Sequence, residues 1–432
     1  MNIKDKIPDG WEVFSFGNKE LVNIIDGDRG KNYPKEKDFF DEGYCLFLNT
    51  KNVTNRGFNF NTNKYITKEK DNSLRSGKLN RYDIVMTTRG TIGNCGFYDD
   101  FVKYDNIRIN SGMVIFRVIS DKIFQKYLYM FLTSNIMREQ ILSCTTGTAQ
   151  PQLPIWTINK LYFFLPPLSE QKRIASILSA LDNKIELNNK TNKILEEMAQ
   201  TIFKEWFINF NFPNEDGKSY KKSGGEMIDS ELGKIPKGWK VITLKDIISI
   251  AKGKKPNATS DKITEKFTMP YLTINCYNNE ATEYTEYNEK MHVKELDIVM
   301  VMDGNAGKIF YGKEGILSST MAKLIVEDSN LNELVFYFLK SIEYDLMYHT
   351  VGSVIQYADK QYMLNKKFCV SSDNLERLSD IFKCIRKEIS LNKKENEKLS
   401  NIRDSLLPKL MTPKGRRADG EIRVNGSGNN GV

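Results

Sequence analysis

The chain is poor in the residues that build reactive sites. It has two histidines, His292 and His349, and six cysteines at 45, 95, 144, 276, 369 and 384, none in a Cys-x-x-Cys pair. That argues against a zinc site and a disulfide scaffold; reduced thiols in a cytoplasm are the simple expectation. No run approaches the length of a membrane-spanning helix, and Met1–Lys6 leads into no apolar segment, so neither a span nor a signal peptide is expected. Gly304-Asn305-Ala306-Gly307-Lys308 approaches a phosphate-binding loop, but Met302 and Ile309 stand where glycine and serine or threonine are required. The Asn/Asp-Pro-Pro-aromatic motif of a DNA methyltransferase is missing, because Pro166-Pro167 follows Leu165. Asp216-Gly217-Lys218 has the Asp-x-Lys ending of a nuclease centre, yet it lacks an upstream Pro-Asp and sits in turn-rich sequence. Two distant histidines without a serine or cysteine partner motif give no triad. A chain of 432 residues without such a constellation points to binding or scaffolding, not to an enzyme.

Charge is unevenly spread. The net charge is +8; residues 1–168 carry 23 Lys/Arg against 18 Asp/Glu, residues 235–373 carry 17 against 18, and residues 374–411 carry 9 against 6. A basic balance permits nucleic-acid binding without establishing it. Residues 235–373 contain no arginine.

What is present is a duplication. Ile7-Pro8-Asp9-Gly10-Trp11 recurs as Ile235-Pro236-Lys237-Gly238-Trp239, and Asp83-Ile84-Val85-Met86 as Asp297-Ile298-Val299-Met300. Gly90 and Gly93 match Gly304 and Gly307. Thr146-Gly147-Thr148 matches Val351-Gly352-Ser353, with Gln150 and Gln356 soon after. The order is kept throughout, so the chain is two copies of one unit. Short β-branched segments at 83–88, 113–118, 297–302 and 323–326 read as strands, and 124–142 and 334–348 as helices. Each half is therefore a mixed α/β domain.

Each half ends in a long heptad pattern. Ile174, Leu181, Asn188, Leu195 and Ile202 fall at seven-residue spacing, as do Leu378, Ile385, Asn392, Leu399 and Leu406, each 204 residues on. Ile177, Met198, Phe382, Ile389 and Ile402 fill out the seams. Such spacing fits a coiled coil, or equally two amphipathic helices on separate cores. Matching seam residues Asn188 and Asn392 favour two helices that pair with each other, because a polar seam residue fixes register. Ser169 reads as the N-cap of the first helix, Asp373 with Glu376 as a capping box for the second, and Pro408 and Pro413 as its stop. Residues 209–234 read as a linker with turns, and 412–432 as a flexible tail.

These fragments, in this order, resemble the DNA-specificity subunits of type I restriction–modification systems. The carriers are the Ile-Pro-x-Gly-Trp starts, the Asp-Ile-Val-Met blocks with Gly-x-x-Gly, Pro166–Gln171, Phe203–Phe207, Tyr220–Met227 and Leu406–Leu410. The likeness runs from about residue 7 to about residue 424. Val370-Ser371-Ser372 departs from it, where the first half has Pro166-Pro167-Leu168. The resemblance implies an α+β chain with a pseudo-two-fold internal repeat. Target-recognition domains at 1–168 and 235–373 would each read half of a split double-stranded DNA site. Spacer helices at 169–208 and 374–411 would pair antiparallel, set the gap and dock two methyltransferase subunits. It also implies a non-catalytic cytoplasmic chain without its own cofactor or membrane contact. S-adenosylmethionine and ATP would sit on partner subunits that methylate adenine and, with restriction–translocase subunits, cleave DNA. Two alternatives are a coiled-coil scaffold that binds no DNA and a specificity subunit of a methylation-only complex.

For DNA contacts the sequence offers Lys51, Arg89, Gly90, Gly93, Gln150 and Gln152 in the first half, and Asn275, Gly304, Gly307, Lys308 and Gln356 in the second. The glycines either let backbone approach DNA or make ordinary turns. Arg89 contacts DNA or forms a surface ion pair, and Lys308 is taken as its analogue. The glutamines read adenine or bond within their own loops. Lacking arginine, the second arm is expected to read bases through Asn, Gln and Lys. Trp11 and Trp239 are expected to anchor cores.

Overall fold

The computed structural model describes residues 10–55, 57–144, 152–278, 282–352, 356–371 and 375–411. Backbone packing divides the chain into two units, Met1–Glu186 with Glu395–Val432, and Leu187–Lys394. Each unit holds one globular half together with a stretch of both long helices.

The two halves share one topology. In the first, strands Val22–Asp26, Met113–Val118, Ile84–Thr87 and Cys95–Phe97 lie in that order in an antiparallel sheet. In the second, Ile248–Lys252, Met321–Val326, Ile298–Val301 and Ile309–Tyr311 repeat the order. The central strand of each sheet is buried on both faces, which is why it reads as an unbroken apolar run. Side chains alternate across it. Ile84 and Met86 enter the core under the helices, and Val85 enters the core of a second, smaller sheet. Ile298 and Met300, then Val299, divide in the same way. The smaller sheets also agree, each built around a parallel pair: Cys45–Leu48 with Ile107–Ile109, and Met269–Leu272 with Gly315–Leu317.

In the first half, Asp71 fastens the second sheet. It is fully buried and meets Arg108 and Lys78. Burial alone would raise its carboxyl pKa, but the hydrogen bonds from Lys78 and Arg108 outweigh this and hold it below the ordinary value of 3.8. A depressed carboxyl contributes stability above the unfolded-state pKa and loses it as pH falls through the folded one. The urea midpoint of the first unit is therefore expected to drop as pH falls below about 4. Asp71→Asn, measured over the same range, should give a flatter acid limb.

The helical stretches behave differently from the reading at several points. The 124–142 segment is two helices, Gln125–Leu132 and Asn135–Cys144, because the Ser134 hydroxyl bonds the Phe131 carbonyl between them. The 334–348 segment likewise breaks at Ile342 into Asn332–Ser341 and Glu343–Tyr348. The first long helix spans Leu168–Phe203 and widens into a π-turn, Lys204–Ile208. It starts a residue before Ser169, so that serine is inside the helix and is not its cap. The second spans Leu375–Met411 and runs through Pro408, which lies in its last turn, so the one hydrogen bond it cannot donate, to residue 404, is near the helix end. Asp373 lies outside the described residues, as does the side chain of Leu378. Residues 209–234 are more than a linker. Phe210 and Phe212 pack on Trp239, and Met227–Ser230 pairs with Gly233–Pro236 in a hairpin.

Within each unit the long helices run antiparallel. In the first unit Ile174 shares a core with Leu410 and Met411, and Asp182 pairs with Arg403. In the second, Phe203 packs on Phe382, and the Asn392 amide donates to Asn192 Oδ1 at 2.9 Å. Asn392 thus meets Asn192, four residues beyond its repeat counterpart Asn188. Antiparallel chains oppose a rising number with a falling one, so equal repeat positions face each other only at about 190 and 394, and Asn188 and Asn392 fall to one side of that point. Asn188 itself is buried. Met198 and Ile402, expected in the seam, are exposed, and Ala199 occupies the buried position beside Met198.

Candidate nucleic-acid interface

At one edge of each four-stranded sheet, four segments converge. In the first half they are the 49–52 turn, the loop after strand Ile84–Thr87, the 110–112 turn and the chain at 152–153. Thr88 N–H donates to the Gly112 carbonyl, Leu153 N–H donates to the Thr88 carbonyl, and Arg89 bridges Gln152. A Cβ added to Gly112 would lie 3.0 Å from Thr50 Cγ2 and 3.8 Å from Arg89 Cβ. Lys51 stands on that turn, which Asn49 caps through the Lys51 backbone N–H at 2.8 Å. Lys51, Arg89, Gly90 and Gln152 are exposed, and Gly93 is half-buried. The cluster therefore gathers Lys51, Arg89, Gly90, Gly93 and Gln152. Gln150 and the Thr146–Thr148 segment lie outside the described residues.

The second half repeats this bonding pattern. Met302 N–H donates to the Thr320 carbonyl, Ala358 N–H to the Met302 carbonyl, and Asp303 bridges Tyr357. Gly304 N–H donates to the Gln356 carbonyl, so Gln356 holds the loop by its backbone. Asn275 is exposed on a short helix, Ile274–Tyr277, whose N-cap Thr273 accepts from Cys276 N–H. The first glycines of the two pairs, Gly90 and Gly304, have φ of +71° and +83° with nothing within 4 Å of an added Cβ. That is a left-handed turn facing open space. The second glycines are packed: a Cβ on Gly307 would come within 2.8 Å of the Leu346 backbone.

The superposed bonding corrects one analogy. The counterpart of Arg89 is Asp303. Lys308 instead follows Gly307, as Asn94 follows Gly93, and its ammonium lies over the Phe310 ring at 5.5 Å. Arg89 has no acidic partner among the described residues. Asp303 faces Lys252 at 3.7 Å. Both Asp303 and Lys252 escaped the reading by residue type, which sought cations and amides. Aligning the two copies on Gly90 and Gly304 would have found Asp303. Trp156, three residues beyond Leu153, is 64% exposed with Lys160 over its ring at 5.0 Å, and the sequence alone does not single it out. Trp11 and Trp239 are buried, as expected of core anchors.

Among the described residues no group of histidine, cysteine and carboxylate side chains could hold a metal, and no helix is long and apolar enough to cross a membrane.

Against known proteins, the family model for the type I restriction modification DNA specificity domain matches residues 8–197 and 236–401. The type I restriction enzyme MjaIX specificity subunit of Methanocaldococcus jannaschii is 26% identical over 97% of this chain and 95% of its own. The HindI specificity subunit of Haemophilus influenzae is 22% identical over 89% of this chain and 97% of its own. The crystal structure of the type I restriction–modification S subunit from M. genitalium matches with a TM-score of 0.54 at 17% identity, covering 95% of this chain and 98% of that one. That match carries the fold. The family model matches both copies of the repeat, breaking only between them at 198–235, and on that match the chain belongs to the DNA-specificity family of type I restriction–modification systems.

Proposed function

We propose that the two converging loop clusters are DNA-reading edges, each taking one half of a bipartite double-stranded site. The observation that carries this is that one backbone framework is built twice while the side chains on it differ: Arg89 and Gln152 in one copy, the partly exposed Asp303 and Tyr357 in the other. A shared frame with different side chains suits two different half-sequences read in the same way. The long helices then set the gap, and their outer faces dock two methyltransferase subunits. An exposed apolar row supports the docking: Leu187, Ile194 and Met198 on the first helix, Leu391 and Ile402 on the second. Solvated helix faces are normally polar, so such a row favours burial against another protein. S-adenosylmethionine, ATP, methyl transfer to adenine and cleavage belong to those methyltransferase and restriction–translocase subunits, in the cytoplasm.

The test is binding of double-stranded DNA by this chain assembled with its methyltransferase subunits. Affinity is expected to fall steeply and linearly in log–log terms with salt, as released counterions require. Methylome sequencing of a host carrying the complex should return one two-part motif. Assembly without salt-dependent DNA binding would favour the scaffold alternative.

A further inference from the structure

The two reading edges are charge-reversed at matched positions. Strand register places Asp26 opposite Val114 and Lys252 opposite Ala322, at the same end of the same sheet. The next residue confirms the match. A Cβ on Gly27 would lie 2.2 Å from the Asn110 carbonyl oxygen, and one on Gly253 would lie 2.1 Å from that of Ser318. Both positions are held to glycine by the same backbone. One copy therefore carries Asp26 with Arg89, and the other carries Lys252 with Asp303.

The surroundings differ accordingly. Asp26 is engaged by Arg29 at 3.1 Å, and Arg29 also donates to the Ser111 carbonyl. This leaves the Arg89 guanidinium without an acidic partner among the described residues. In the other copy Lys252 approaches Asp303 Oδ1 to 3.7 Å, beyond hydrogen-bond distance, and that oxygen is itself buried and without a hydrogen-bond partner. The Asp303 side chain remains 22% exposed. That exposure lies on atoms other than the buried Oδ1, so an incoming base would meet the other side of the carboxylate, while the lysine behind it offsets the repulsion of phosphates.

We propose that Arg89 and Asp303 are equivalent base-reading positions of opposite polarity. Arg89 donates to the O6 and N7 edge of guanine, and Asp303 accepts from the N4 amino group of cytosine. This rests on the DNA-reading function proposed above. A forked cation matches two neighbouring acceptors; an acceptor-only carboxylate matches an exocyclic amine and is repelled by guanine's O6 and N7. Cytosine fits better than adenine, whose amine stands beside the N7 acceptor. Both arms thus specify a G·C pair at this position, in opposite orientations. The near-neutral second arm then needs no arginine to read G·C.

The experiment is methylome sequencing of hosts carrying the complex with wild-type chain, Asp303→Asn or Arg89→Lys. Asp303→Asn is expected to relax one G·C position of one half-site, admitting other pairs about tenfold more often. Arg89→Lys should relax one G·C position of the other half-site. In each case the untouched half-site is the internal reference. Asp303→Asn that lowers methylation equally at all sites with the motif unchanged would overturn the proposal. So would both variants altering the same half-site. Arg89 is exposed, so its variant keeps the test open should Asp303→Asn fail to assemble; an unchanged motif there also overturns the pairing. A wild-type complex that methylates no defined motif would overturn the DNA-reading function itself, and this proposal with it.

Discussion

Replacing Phe382 by alanine is expected to destabilise the second unit by about 3–5 kcal/mol. The ring is fully buried at the junction of three elements. Its centroid lies 5.1 Å from Tyr337 of the globular half, 6.4 Å from Phe203 of the first long helix, and 6.3 and 6.2 Å from Trp206 and Phe207 of the π-turn. Truncation removes the transfer free energy of a large side chain and leaves a cavity that rigid neighbouring rings cannot fill. The partners come from three elements, so the loss loosens the helix pair and its domain together. Urea denaturation measures it directly. Leu391→Ala is the control: that side chain is 51% exposed, and its loss should change stability by less than about 0.5 kcal/mol. A cost for Phe382→Ala near that of the control would show that the helices are held elsewhere.

Deleting one heptad, residues 185–191, from the first long helix alone should abolish a stable helix pair. On that helix Asp182 meets Arg403 and Asn192 meets Asn392. Removing seven residues between Asp182 and Asn192 brings them about 10 Å closer at 1.5 Å per residue. Their partners on the other helix stay where they were, so both pairs cannot form at once. Deleting residues 394–400 as well restores the match and keeps both pairs. On the ruler function proposed above, the double deletion should shorten the methylated motif's gap by about three base pairs, at 3.4 Å each, with both half-sequences unchanged. An unchanged gap, or altered half-sequences, would contradict the ruler. Methylome sequencing of the three strains decides between these results.

The long helices were legible because a heptad pattern is local. Ile174, Leu181, Leu195 and Ile202 all lie at least half-buried, and the helix bounds fall within one or two residues of the pattern. Facing was less legible. Met198 sits one residue from the buried Ala199, and a single step turns a helical side chain by about 100°. Composition could not distinguish these neighbours, since both are apolar. The packing of Phe210 and Phe212 was hidden for another reason: their partner Trp239 lies beyond a polar, glycine-rich stretch that reads as a linker.

The reading edges divide along the same line. Arg89, Gly90 and Gly93 stood out because a cation beside two glycines is unusual in any loop, and their duplicates at Gly304 and Gly307 marked the second edge. Asp303 did not stand out, because an aspartate before glycine is an ordinary turn signal. The match of Gly90 with Gly304 already puts it on Arg89's position, and the matched hydrogen bonds of Thr88 and Met302 with their neighbouring strands give that position its setting.

By itself, then, the amino-acid sequence determined the duplication, the two helices, their apolar seams and the central strands. Each of these is a spacing along one chain, set by the 3.6- and 2-residue periods of helix and strand. Only the tertiary structure decided that Asn392 meets Asn192, that Met198 faces outward, and that Lys252 takes Asp26's place beside Asp303. Those are pairings between distant segments, and they depend on chain direction and strand register, which no local spacing encodes.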